Sequence, residues 1–351
     1  MKQQTKKQPL TAGKPRLFYL DFVRAVALLS ILVVHFNATV TGYFTYPSRL
    51  FGSVLPFGIY LGDFGSSLFF IVSGAALAYT TPQNITPAAF YKKRARAVYP
   101  MFWLAWVGAF SFRFVAKPGY YAGAKAPTLL LTVLGLDNFA VASGWVAQDF
   151  ACVGEWFLGS ILFLYLLFPL LRFALQKSPL ATGALVCALC IPVHLMRWDA
   201  QLVAIHVPEF LFGMAFVALS KRAKAVSLAL AVLLLAVLRG GDGKILCALF
   251  SVAAFILLAL LAERLAPRGA AQPLTRLCAL GSKYSYPVFL LHHIIILRMV
   301  EGFDLSVLGR RDTALLFGAY LFFVACAAAG LYKADRFVRA GLHRLLCGAA
   351  Q

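Results

Sequence analysis

The feature that most constrains this chain is a succession of apolar runs, each about as long as a bilayer is thick. A helix needs about 20 mainly apolar residues to cross a hydrocarbon core of about 30 Å. Ten such runs can be placed, near residues 17–40, 54–80, 98–116, 156–176, 179–197, 202–220, 225–239, 245–263, 284–303 and 313–333. Composition agrees. Of 351 residues, 61% are hydrophobic and only 13% charged, whereas a soluble domain carries about 25% charged residues. The expected fold class is all-α: a polytopic bundle of about ten transmembrane helices embedded in a lipid bilayer, with no polar stretch long enough for a soluble domain. Residues 1–16 read as a basic cytoplasmic tail, 17–333 as the transmembrane unit and 334–351 as a cytoplasmic C-terminal tail. The segment "TLLLTVLGLDNFAV" (128–141) is apolar but too short to cross, which suits a re-entrant or interfacial piece.

Charge fixes the expected orientation. Of the 33 Lys and Arg residues, 22 fall on the side of the N-terminus and ten on the other, with Arg24 inside the first run. This asymmetry places both termini in the cytoplasm. The net charge of +20 is spread over short loops between apolar runs, so it does not form a nucleic-acid-binding face. The tail "MKQQTKKQPLTAGKPR" lacks an apolar core with a small-residue cleavage site and reads as a retained segment, not a signal peptide. Seven cysteines, mostly inside apolar runs, suggest small buried residues, and no metal-ligand set is expected.

Ionisable side chains inside these runs require an account, because each costs about 2.5–3.5 kcal/mol on insertion scales. The first run, "YLDFVRAVALLSILVVHF", carries Asp21, Arg24 and His35. Eleven residues separate Arg24 from His35, about 1100° of helical rotation, so the two lie on one narrow stripe about 16 Å apart. Asp21 is one turn from Arg24 on the same stripe. A stripe of polar groups implies a polar groove opposite, and a histidine in it is a ready general base.

Other runs add candidates. "DFGSSLFFIVSGAALAY" interrupts the second run with small residues, including Ser73 and Gly74, which permit close helix or ligand approach. "FYKKRARAVYP" opens the third with Lys93, Arg94 and Arg96, read either as topology charges or as a phosphate clamp. Glu155 and Trp156 begin the fourth, at the outer interface. His206 and Glu209, three apart around Pro208, are read as an ion pair or as part of a substrate pocket. His292 and His293 are adjacent in the ninth run. Neighbouring residues diverge by about 100° on a helix, so these two are not expected to face the same cavity.

Taken together, "LDFVRAVALLSILVVHF", "GSSLFFIVSGAALA", "FYKKRARAVYPMFW", "EWFLGSILFLYLLFPL" and "LGSKYSYPVFLLHH" resemble, in order, the motifs of the acyltransferase type 3 family. These are bacterial integral membrane acyltransferases that modify envelope and exported polysaccharides. The resemblance implies ten helices in the bacterial cytoplasmic membrane, with acyl-CoA, most often acetyl-CoA, entering from the cytoplasm and no metal. It makes His35 the catalytic histidine, as general base or transient acyl carrier, Arg24 its essential partner and Asp21 a support for Arg24. Arg24, Lys93, Arg94 and Arg96, with Ser73 and Gly74, would hold the coenzyme A end. His292 falls on the family histidine of the ninth span, and Trp156, Tyr165 and Pro169 on the fourth-span motif. Acceptor contacts are assigned to Glu155, Trp156, His292 and Glu209.

Three positions depart from the family pattern. Ala75 replaces an aromatic residue after Ser-Gly, Lys93 stands where arginine is common, and Ile161 aligns with a glutamate of many members. A hydrolase-like C-terminal domain, fused in some members, is not seen, so the membrane unit is expected to act alone or with a partner. The expected function is transfer of an acyl group from acyl-CoA to a hydroxyl of a glycan or lipid-linked glycan, with homodimerisation left open. The alternative is an exporter of lipid-linked glycan or small molecules, which would predict a broken helix or repeat symmetry; the sequence shows no repeat of fixed period.

Overall fold

A computed structural model of the chain describes residues 15–41, 58–197, 203–265, 272–301, 304 and 307–348. Among these residues the structure is helical and contains no strand. In chain order the helices are α1 (Phe18–Val40), α2 (Leu61–Thr80), α3 (Pro87–Ala116), α4 (Leu129–Leu134), α5 (Asp137–Ala142), α6 (Glu155–Lys177), α7 (Pro179–Leu195), α8 (Val203–Phe216), α9 (Lys221–Val237), α10 (Gly243–Leu265), α11 (Gln272–Val300) and α12 (Arg310–Gly348).

Each predicted run coincides with one of the ten longer helices, but only six of these, α1, α2, α3, α6, α10 and α12, are long and apolar enough to cross a membrane on their own. The expectation of ten independent spans is corrected accordingly. Helices α7 and α9 have 17 residues and α8 has 14. At 1.5 Å per residue they reach about 26 and 21 Å, short of a hydrocarbon core of about 30 Å. Helix α11 has the length, 29 residues, but Lys283, the Ser285–Tyr286 pair and two histidines dilute its apolar character.

Helix α1 is the centre of the bundle, packed against α2, α10 and α11. Its buried residues run along its whole length, from Leu20 to Val40. Outward faces elsewhere carry large apolar side chains, such as Leu166, Leu170, Phe173, Leu189 and Leu230. That inversion is what a bundle solvated by lipid requires.

The closest crossing joins α2 to α8. A Cβ on Gly74 would lie 2.0 Å from the Phe210 carbonyl oxygen, and one on Gly213 would lie 1.9 Å from that of Ile71. Both contacts are backbone against helix, so neither can be relieved by a side-chain rotation. The small-residue pattern of the second run is therefore explained first by helix contact.

Between α3 and α6 the chain forms two short helices. Helices α4 and α5, six residues each, meet at Gly135, which has φ +73° and takes the left-handed conformation that ends α4. The last carbonyls of α4 have no helical donor, and the side chains of α3 supply them. Trp103 Nε1–H donates to the Val133 oxygen and the Tyr99 hydroxyl to that of Leu134, each at 3.0 Å. Gly135 and Phe139 pack on Leu158 and Gly159 of α6. Segment 128–141 thus packs beside α3 and α6 with its last α4 carbonyls met by α3 side chains.

Replacing Gly213 by alanine is expected to destabilise the bundle by about 2 kcal/mol through overpacking against the Ile71 backbone. The same change at Gly108, where nothing lies within 4 Å, should be neutral. Melting temperatures of the two variants in detergent decide the matter; equal melting curves would refute the close-crossing argument.

Candidate active site

Arg24, on the α1 stripe, faces a cavity of about 260 Å³ lined also by Ser73, Arg94, Tyr165, Ser285 and Tyr286 and by the rings of Phe69, Phe157 and Phe289. Two guanidinium groups therefore share one largely apolar space. Arg24 donates from Nη1 to the Ser282 hydroxyl on α11. Its nearest carboxylate is Asp21, at 3.8 Å, but that carboxylate is held more closely by Arg16, whose Nε and Nη2 reach one oxygen each, the second at 3.0 Å. Asp21 therefore supports Arg24 only in part, and Ser282 is the anchor that sequence reasoning missed. Arg94 keeps a buried Nε with no acceptor. A cavity with two cations and a shared, partly committed carboxylate is set up to receive an anion, and the planar guanidinium fork suits a phosphate.

The basic cluster at the start of α3 divides by helical position. Arg94 turns into the cavity, while Lys92, Lys93 and Arg96 are exposed. Of the three residues of this cluster assigned to the coenzyme A end, only Arg94 lines the cavity, beside Arg24. Ser73 lines it as well, whereas Gly74 faces α8, where its lack of a side chain is needed for packing.

Farther along α1, the His35 ring lies 4.9 Å from that of His292 and 5.0 Å from that of His293, edge-on to both. The expectation that adjacent histidines would not share a cavity is corrected. A divergence of about 100° places each only about 50° from the bisector, and the His35 ring occupies the bisector. His292 Nδ1 is 2.7 Å from the Phe289 carbonyl oxygen, which requires a proton on Nδ1. Its Nε2 is then a bare acceptor, and it is buried without a partner. Among the described residues no group of three His, Cys, Asp or Glu side chains is arranged to hold a metal ion.

Phe289 stands between the two parts of the site. Its ring lies 4.5 Å from Phe157 on the cavity side and 5.6 Å from His292 on the other. Neither phenylalanine carried a signal in an apolar sequence, because nothing distinguishes a partition from any other core aromatic.

The remaining candidates lie apart from the histidines. Glu209 is 2% exposed and its Oε2 is 2.7 Å from His206 Nδ1, with the His206 ring stacked 4.1 Å from Phe70. The pair is internal to the α2–α8 contact and does not reach the His35 cluster. Trp156 is half-buried at the start of α6, its ring 5.9 Å from Phe157. The side chain of Glu155 falls outside the described residues.

A family model described as an acyltransferase domain matches residues 17–333. No curated protein and no solved structure matches the chain.

Truncating Phe289 to alanine should join the cavity to the histidine cluster. Carbethoxylation of His292, followed by mass spectrometry, should then accelerate severalfold over wild type. Unchanged labelling would show that Phe289 is not the partition.

Proposed function

The chain belongs to the acyltransferase type 3 family, and we propose that its cavity binds acyl-CoA from the cytoplasm and delivers the acyl group to a hydroxyl at the histidine cluster. The observation that carries this reading is that α1 carries Arg24, which shares a cavity with Arg94 of α3, and, about 16 Å farther along the same helix, His35, which meets His292 and His293 of α11. The first suits the phosphates of coenzyme A. The distance suits an extended pantetheine arm. The basic end of the bundle is assigned to the cytoplasm by the distribution of Lys and Arg, which makes Lys93 and Arg96 exposed charges at the donor's point of entry.

In the proposed reaction the acceptor oxygen attacks the thioester carbonyl, its proton passes to a histidine, the C–S bond breaks and the thiolate recovers that proton. Oxygen gains the acyl group, sulfur gains the proton, and no further reactant is needed. His35 takes the proton in this reading, supported by the close approach of its ring to both His292 and His293 and by the family resemblance. The bare Nε2 of His292 is placed to accept a hydrogen bond from the acceptor hydroxyl. Phe289 must rotate for the two halves to communicate, which keeps the thioester from water until the cavity is filled. The family resemblance supports acetyl-CoA as donor, an envelope or exported glycan as acceptor, and the bacterial cytoplasmic membrane as location. Trp156, half-buried near the partition, offers an aromatic face for a sugar.

His35→Ala is expected to lower acyl transfer by at least about 10²-fold, the scale of general acid–base catalysis, with normal membrane abundance. Arg24→Lys, which keeps charge but loses the fork, should raise the dissociation constant for coenzyme A by about tenfold. Turnover by purified protein with radiolabelled acetyl-CoA tests the first and titration calorimetry the second. Wild-type turnover in the histidine variant would remove His35 from the chemistry.

A further inference from the structure

Helix α3 contains Pro100, which has no N–H to give to the carbonyl of Arg96 four residues earlier. That oxygen is free to take another donor, although the turn is exposed at Arg96 and Ala97. It receives one from the far end of the chain. Arg339 of α12 donates Nη1 to the Arg96 oxygen and Nη2 to that of Ala97 at 3.3 Å. The next carbonyl, Val98, accepts from the Tyr286 hydroxyl of α11 at 3.2 Å. Arg339 is itself aimed by Asp335, one turn earlier on α12 and 4% exposed, whose two oxygens lie 2.8 and 2.7 Å from Arg339 Nε.

The brace is specific to one turn, and that turn carries the basic cluster. Arg94 precedes the braced carbonyls by two residues and turns into the cavity beside Arg24; Arg96 owns the first of them. A hydroxyl donor, like the one Tyr286 provides next to it, would satisfy a single freed carbonyl. A guanidinium locked by a buried carboxylate does more: it grips two successive carbonyls and fixes the rotation of the turn about the helix axis. Residues 335 and 339, read from sequence as part of a cytoplasmic tail, belong to a helix that runs unbroken to Gly348 and docks on α3.

We propose that Asp335 and Arg339 are positioning residues for the acyl donor, setting the turn that presents Arg94 and Arg96 to its phosphates. The inference rests on the reading of that turn as the coenzyme A end. It predicts an effect on donor affinity and not on the chemical step, which takes place at the histidines.

The test uses the full chain, purified in detergent, with coenzyme A as the calorimetric ligand and acetyl-CoA as substrate. Arg339→Ala should raise both the dissociation constant and KM by about tenfold, with kcat at saturation within about twofold of wild type. Arg339→Lys, able to reach one carbonyl only, should fall between. Pro100→Ala combined with Arg339→Ala should recover most of the affinity, because the new N–H at position 100 takes over the Arg96 oxygen. Unchanged affinity in Arg339→Ala, a loss confined to kcat, or a double variant no better than the single one would each overturn the inference. If Arg339→Ala does not yield monodisperse protein, Asp335→Asn carries the same expectation at smaller size. Hydrogen exchange across residues 97–103 reads the brace without ligand. Faster exchange in Arg339→Ala with wild-type affinity overturns the positioning role alone, whereas wild-type protein that binds no coenzyme A overturns the functional reading beneath it.

Discussion

Arg24 sits on the central helix of an apolar bundle with a hydroxyl and a partly committed carboxylate as its partners. A cation there is sustained only if the elements around it are arranged on its behalf, because hydrocarbon offers no solvation. Much of the architecture follows from that demand. Helix α11 brings Ser282 to it, the N-terminal approach to α1 brings Arg16 to share Asp21, and α3 turns a second guanidinium into the same space. Two guanidinium groups thereby line one cavity, with Asp21 the nearest carboxylate to Arg24.

Freed backbone groups do comparable work. A proline in α3 frees the Arg96 carbonyl, the end of α4 leaves others open, and the carbonyls beside Arg96 on the same turn are reached as well. Each becomes a docking point for a distant side chain: Arg339 and Tyr286 on the turn around residues 96–98, Tyr99 and Trp103 on residues 133–134. In water such carbonyls would be solvated and say nothing about tertiary structure. Here they specify which helices meet and in what register.

Elements with a strong period were legible in the sequence, and residues whose role depends on a partner were not. All ten longer helices lie where apolar runs placed them, yet only six are sufficient spans by themselves, since α7, α8 and α9 are too short to cross without neighbours. The stripe through Arg24 and His35 was legible because a helix converts spacing into direction. The angle between His292 and His293 was read correctly, but its consequence was not, because it depends on a third ring lying on their bisector. Gly74 could be seen as a place of close approach, but whether a ligand or α8 approached was decided by Gly213, 139 positions away on the chain. The cluster of Lys93, Arg94 and Arg96 could be seen as basic, but not that Arg94 alone enters the cavity.

By itself, the sequence determined the solvent of this protein, the direction of its charge bias, the helical class and the facing of one polar stripe. Each follows from local composition and from the fixed geometry of a single helix. The tertiary structure alone decided which helix lies opposite that stripe, that Phe289 divides the site, that Ser282 anchors Arg24, and that the last helix returns to hold the third. Those outcomes rest on contacts between residues up to 258 positions apart, and such contacts leave no mark in the local pattern of either partner.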